Sequence, residues 1–124
     1  MILVQPIWRD GKMTIKRGEI WLANLDPTIG REIKKTRPVV IVSNDVNNRY
    51  NGTITVLPIT SNVSKVFDFE VLLPKAAGNL PKDSKVKADQ IRTLDKSRLI
   101  KAIGTLSIPE MTAINDAMKI HLEL

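Results

Sequence analysis

The 124-residue chain has no cysteine, one histidine, and only two Phe, two Trp and one Tyr. Without cysteine there are no disulfides, thiolate nucleophiles, iron–sulfur clusters or cysteine zinc sites, a composition that a reducing cytoplasm permits; a cytoplasmic location is the expectation. With His121 as the sole histidine, no mechanism can rest on a histidine pair. No apolar run approaches the ~18 residues of a membrane span, so no membrane partner is expected. The apolar start, Met1 to Trp8, has no preceding basic residue and no small-residue cleavage site after it, and it does not read as a signal peptide. A phosphate-cradling glycine loop, a Gly-x-Ser-x-Gly elbow and a His-Glu-x-x-His helix are all missing. The carboxylates Asp26 and Glu32, Asp68 and Glu70, and Asp83 and Asp89 fall on separate elements, which argues against a two-metal centre; neither metal nor cofactor is expected.

What is present is an ordinary globular composition, 43% apolar and 26% charged, at a length that fits one domain. A chain of this mass hides roughly two-thirds of its extended surface on folding, enough for a core without staples. Nineteen Lys and Arg against thirteen Asp and Glu leave a net charge of +6, which favours a polyanionic partner. The charge is segregated: residues 1–50 carry nine basic and five acidic groups, and residues 75–101 carry eight and three. Residues 51–74 and 102–124 are slightly acidic.

Residues 1–12 end in an Asp10-Gly11 turn signal ahead of a second methionine, Met13, and are expected to be a dispensable extension to a single domain over 13–124. Period-2 patterning predicts strands at Glu19–Leu25, Thr53–Ile59 and Phe67–Leu73, the last with Glu70 on its polar face. The β-branched run Val39–Val42 predicts a buried strand. Pro58 predicts an edge or an irregular end for its strand. Turn formers over Asn44–Asn51 leave room for one helical turn, Lys75–Lys82 reads as a loop, and short strands are expected at Val86–Ile91 and Leu99–Leu106. Ser107-Ile108-Pro109-Glu110 is a capping box that opens a helix to about His121, with Ile108, Met111, Ile114, Met118 and Leu122 in one stripe. His121 is expected to be a surface residue near the helix's end. The fold class is mainly β with one helix (α+β): a small, strongly curved antiparallel sheet or barrel.

One reaction suits a chain limited to Arg, Lys, Thr, Ser and isolated carboxylates. RNA carries its own nucleophile, the 2′-hydroxyl; its cleavage needs a base, a cation for the developing phosphorane charge, and a donor for the departing 5′ oxygen. Glu32 is a candidate base, Arg37 the candidate stabiliser through its planar fork, and Thr60, at a strand end, a candidate hydrogen-bond donor to the same phosphate oxygens. The same residue types also serve as a loop carboxylate, a strand start and a turn former, and spacing alone does not separate the two roles.

Lys16-Arg17-Gly18-Glu19-Ile20-Trp21, Gly30-x-Glu32, Arg37-Pro38-Val39-Val40-Ile41-Val42-Ser43-Asn44, Pro58-Ile59-Thr60-Ser61 and Asp89-Gln90-Ile91-Arg92-Thr93-Leu94-Asp95-Lys96-Ser97-Arg98-Leu99, five blocks in order, resemble the MazF/PemK family of toxin endoribonucleases. The resemblance runs from about Met13 to Leu122 and implies an SH3-like barrel with a C-terminal helix. It implies a homodimer that cuts single-stranded RNA at short sequences without a metal, leaving a 2′,3′-cyclic phosphate and a 5′-hydroxyl. A cognate acidic antitoxin is implied as well. By position the catalytic arginine falls on Arg37, the catalytic threonine on Thr60 and the loop glutamate on Glu32. RNA-contacting candidates are Arg31, Lys34, Lys35, Ser43, Asn44, Ser61 and Arg92; the Gln90-Ile91-Arg92 block belongs to a region that is both structural and RNA-facing. Met1 to Lys12 lies before the family pattern. The alternative is a non-catalytic toxin or nucleic-acid-binding module on the same barrel, such as a DNA gyrase inhibitor. Those inhibitors depend on a Trp-Gly-Ile C-terminus, and this chain reads His121-Leu122-Glu123-Leu124.

Overall fold

The computed structural model describes residues 8–9 and 12–124. The expectation about residues 1–12 therefore lies mostly outside the described residues; within them, β1 (Trp8–Arg9) and β2 (Lys12–Met13) pair antiparallel. The main sheet has seven strands: β3 (Glu19–Asn24), β4 (Thr36–Ile41), β5 (Thr53–Thr60), β6 (Glu70–Leu73), β7 (Ser84–Lys87), β8 (Arg92–Asp95) and β9 (Leu99–Thr105). Their order is β6-β7-β5-β4-β3-β9, with β8 paired to β5. Every pairing is antiparallel. Helix α1 (Asp45–Tyr50) links β4 to β5, and α2 (Ile108–Leu122) ends the chain.

Alternation along the strands feeds two cores. Ile20, Val40, Leu57, Ile59 and Val86 join Met111, Ile114 and Ala117 of α2 on one face. Trp21, Ala23, Val39, Ile41, Ile54 and Val56 gather with Leu94 of β8 and Leu99 and Ala102 of β9 on the other. Both faces of β4 are thus covered, which is why Val39–Val42 is continuously apolar; each such fully buried aliphatic contributes about 1.5–3 kcal/mol. Register shifts between Ile20 and Trp21, and between Leu22 and Ala23, bend β3 against β9. The sheet curls far enough to set Leu94 beside Trp21 in one cluster, yet no ladder joins β8 to β9, so it remains open.

Three expectations about the strands change. Pro58 lies in a central strand: β5 pairs β8 over Thr53–Val56 and β7 over Ile59–Thr60, and Pro58 falls in the gap between these partners, where no ladder bond needs its missing N–H. The predicted strand Phe67–Leu73 begins only at Glu70, because Phe67 and Glu70 close a turn, with the Glu70 amide donating to the Phe67 carbonyl at 2.9 Å. The predicted strand Val86–Ile91 stops at Lys87 and turns through a 3₁₀ segment at Ala88–Gln90, and β8 follows as a separate strand. A 3₁₀ turn at Ala77–Asn79 sits within the predicted 75–82 loop, and a Cβ on Gly104 would lie 2.3 Å from the Gly78 carbonyl oxygen, so this turn is pressed directly onto β9.

The capping box forms: the Ser107 amide donates to Glu110 Oε1 at 2.8 Å and the Glu110 amide to Ser107 Oγ at 3.3 Å. The buried stripe of α2 is Met111, Ile114 and Ala117; Ile108 and Leu122 are exposed, because the helix touches the sheet only through its middle turns.

Candidate functional site

Arg37 stands in the exposed first half of β4, two residues before the core-facing Val39. The β4–β5 ladder pairs Ile41 with Val56, Val40 with Leu57, and Val39 with Pro58. That ladder ends at Val39 and Pro58; Arg37 and Thr60 lie two residues beyond it on neighbouring strands, and the period of two gives each the side-chain face of Val39 and Pro58. Across the other edge of β5, Thr60 is opposite Lys85, and Lys85 is opposite Leu72. Thr60, Lys85 and Leu72 form a cross-strand row.

Thr60 ends β5 partly buried, and its Oγ1 accepts from the Asn62 amide at 3.2 Å, which leaves the hydroxyl proton for a further acceptor. Glu32 lies in the exposed loop between β3 and β4. Its Oε1 accepts from the Ile29 amide at 2.7 Å, so one carboxylate oxygen is held within the loop. No ion pair joins Glu32 to Arg37 among the described residues.

That loop, residues 25–35, is gripped from one segment of chain. Gln90 accepts from the Ile33 amide at 2.7 Å and donates to the Arg31 carbonyl at 3.4 Å. Arg92 donates to the Leu25 carbonyl at 3.2 Å; Arg98 donates to the carbonyls of Asn24 and Asp26. The loop's base closes where the Leu25 amide donates to the Lys35 carbonyl at 2.9 Å and the Lys35 amide to Asp26 Oδ1 at 3.0 Å. Arg31, Lys34, Lys35 and Arg37 are left exposed along this wall, as is Ser61 beside Thr60.

Other candidates have their polar atoms engaged by the fold. Ser43 Oγ donates to Asn48 Oδ1 at 2.5 Å and accepts from the Thr55 amide at 3.0 Å, while Asn44 caps α1 by accepting from the Asn47 amide at 2.8 Å. The guanidinium of Arg92 faces the Leu25 carbonyl, as described above. His121 sits exposed in the last turn of α2, its ring 6.0 Å from that of Phe69.

Sequence patterning missed a buried charge cluster beside the row. Glu70 has a fully buried side chain and is bonded by Lys85 Nζ at 3.2 Å and Lys87 Nζ at 2.6 Å, and Oε1 also accepts from the Phe67 amide at 2.9 Å. Burial by itself would raise its pKa; the hydrogen bonds from Lys87, the Phe67 amide and Lys85, with the Lys87 charge, bring it net below the usual glutamate value. Lys87 also lies 3.6 Å from Asp89, so two lysines of the basic 75–101 block are neutralised inside the fold rather than offered to a polyanion. The available signal was the i, i+2 spacing of Lys85 and Lys87, which puts both on one strand face.

Residues 16–122 match the family described as PemK-like, MazF-like toxin of type II toxin-antitoxin system. The chain is 44% identical over 115 residues to Endoribonuclease MazF9 of Mycobacterium tuberculosis (strain ATCC 25618 / H37Rv), covering 89% of this chain and 98% of that protein. It is 40% identical over 111 residues to Endoribonuclease MazF of Staphylococcus saprophyticus, covering 89% and 92%. Among solved structures it resembles MazF of Deinococcus radiodurans, with a TM-score of 0.78 at 25% identity over 90% of this chain and 98% of that one. A mycobacterial endoribonuclease in complex with its cognate antitoxin superposes with a TM-score of 0.74 at 25% identity, covering 89% and 96%.

Proposed function

The chain belongs to the PemK-like, MazF-like toxin family, and from that premise we propose that it is the toxin of a type II toxin–antitoxin pair, an endoribonuclease that cuts single-stranded RNA at short sequences. The observation that supports the reading is the β4–β5 ladder, beyond whose Val39–Pro58 end Arg37 and Thr60 each lie two residues along neighbouring strands. In the reaction the 2′-oxygen attacks the adjacent phosphorus and the bond from phosphorus to the 5′ oxygen breaks. A 2′,3′-cyclic phosphate results, and the departing 5′ oxygen takes a proton from water to leave as a 5′-hydroxyl. The Arg37 fork holds the phosphorane oxygens and the Thr60 hydroxyl donates to them. Glu32, with one oxygen on the Ile29 amide, uses the other to take the 2′-hydroxyl proton. No metal enters these steps.

Arg31, Lys34, Lys35, Ser61 and Arg92 line the RNA path around this pair, with Ser43 and Asn44 shaping its floor. The active species is a homodimer, and an acidic antitoxin segment competes with RNA for the exposed cations. No described helix is long and apolar enough to cross a membrane. Residues 1–12 precede the family match and are dispensable for cleavage.

The deciding experiment incubates the purified protein with a long RNA in excess EDTA and maps the ends. Cleavage with cyclic-phosphate and 5′-hydroxyl ends is expected, and RNA bearing a 2′-deoxy nucleotide at the cut site should resist. Cleavage of that deoxy substrate, or a strict metal requirement, overturns the mechanism.

A further inference from the structure

We propose that Glu70 is a positioning residue for the cleavage reaction, acting on Thr60 through the loop that joins β5 to β6; the proposal rests on the catalytic role assigned to Thr60 above. A run of hydrogen bonds connects the two. Thr60 Oγ1 accepts from the Asn62 amide at 3.2 Å, so the hydroxyl's orientation depends on where residue 62 lies. Asn62 Oδ1 accepts from the amide and hydroxyl of Ser64 at 3.3 and 2.8 Å. The next carbonyl along, Lys65, accepts from Lys85 Nζ at 2.5 Å, and the Phe67 amide donates to Glu70 Oε1 at 2.9 Å. Lys85 closes the circuit: the ammonium that holds Lys65 is itself bonded to Glu70, and its residue stands opposite Thr60 in the ladder.

This arrangement is more than loop stitching. Residues 61–69 are largely exposed, with only Val63 and Phe69 half-buried. Their one fully buried anchor is the Glu70 carboxylate, which bridges two ammonium groups and a main-chain amide and therefore fixes three points at once. The Phe67 and Phe69 rings, stacked at 5.2 Å and 8°, follow from the same turn. Chain leaving β5 is held in one path, and the Thr60 hydroxyl with it. A phosphate held by Arg37 then meets a donor already aimed at it, and a misplacement of about 1 Å at such a site costs about a hundredfold in rate.

The test uses the full-length protein and an RNA oligonucleotide containing one cut site, with active enzyme counted by a single-turnover burst. Glu70→Gln should lower kcat by about tenfold to a hundredfold with KM within about twofold, and amide exchange should quicken over residues 61–69 ahead of the sheet. In a Thr60→Ala background the same substitution should have little further effect on kcat, because the group it positions is gone. A wild-type kcat in folded Glu70→Gln overturns the proposal, and so does a full additive loss in the Thr60→Ala background. Should Glu70→Gln not fold, Lys85→Met removes the Lys65 tether while leaving Glu70 with Lys87 and the Phe67 amide, and an unchanged kcat there overturns it equally. The two readings fail separately: an active Thr60→Ala enzyme sinks the role of Thr60 itself, whereas an inactive one beside a fully active Glu70→Gln sinks only the positioning.

Discussion

The two loops that flank Arg37 and Thr60 are held by opposite means. Residues 25–35 hang from half-buried side chains on segment 90–98, namely Gln90, Arg92 and Arg98, each reaching main-chain atoms. Residues 61–69 hang from a carboxylate with no solvent exposure and two ammonium groups. A part-exposed hydrogen bond is worth about 0.5–1.5 kcal/mol and is readily exchanged for one to water or ligand, so the first wall can adjust to what it binds. Removing one member of a buried ion cluster strands the others, so the second wall keeps its shape or fails as a unit. The division extends to charge: Arg31, Lys34 and Lys35 are open to phosphate, while Lys85 and Lys87 are already partnered.

The harshest way to break this comparison is Glu70→Ala, which should cost about 3–5 kcal/mol in urea unfolding because Lys85 and Lys87 lose their common counter-charge. The cluster also sets an acid limit. Since the folded state holds the Glu70 pKa below its ordinary 4.5, its contribution is complete above the unfolded pKa and is lost as pH falls through the folded one. Wild-type stability should decline below about pH 4.5, and Glu70→Gln should decline less over the same range. Equal acid slopes in the two proteins would show that the carboxylate contributes nothing.

Next in size is Arg37→Ala, which takes away the guanidinium proposed to hold the phosphorane oxygens. Barrier height should rise by roughly 2.7–4 kcal/mol, a loss of about a hundredfold to a thousandfold in kcat. Because Arg37 is exposed, the unfolding midpoint should hardly move. Near-normal cleavage by a pure sample would remove Arg37 from the mechanism.

The contrast also shows where a sequence is readable. Arg37 stands out because it directly precedes Pro38 and the four β-branched residues that read as a buried strand. The start of α2 is equally plain, since a capping box is complete within four residues. Glu70 was hidden by a pattern that looked sound: Phe67, Phe69, Val71 and Leu73 alternate with polar residues, so a strand with Glu70 facing solvent was the natural reading. What defeats that reading is a partnership fifteen and seventeen positions away, with Lys85 and Lys87. Pro58 misled for a related reason, because only the exchange of β8 for β7 along β5 makes room for it. Arg37 and Thr60 were legible as two residues and not as neighbours, because which strands adjoin is a property of sheet order.

A milder probe of the adaptable wall is Gln90→Ala. It frees the Ile33 amide and the Arg31 carbonyl, a loss of about 1–3 kcal/mol if both stay dry and less if water replaces the side chain. Because that loop carries the exposed cations, the larger effect should be a raised KM for RNA, with kcat less affected, the reverse of the pattern expected for Glu70→Gln. If kcat fell instead with KM unchanged, the two walls would not differ in kind.

The smallest effect tests the charge division alone. An exposed lysine that meets a phosphate releases a counterion, so removing it should flatten the dependence of log K on log salt by about 0.7 for single-stranded RNA. Lys34→Gln should show that change, measured by equilibrium binding of a non-cleavable 2′-deoxy-substituted oligonucleotide at several salt concentrations. Lys87→Gln should not, since its ammonium is bonded to Glu70 at 2.6 Å and lies 3.6 Å from Asp89, and a cation already neutralised has no condensed ion to displace. An acidic antitoxin peptide competing for the same exposed cations should follow the same order, losing affinity with salt through Lys34 and not through Lys87, because attraction between exposed charges is screened within about 8–10 Å. Were Lys87→Gln to flatten the slope more than Lys34→Gln, the cluster would have to open on binding, and the 61–69 wall would be the mobile one.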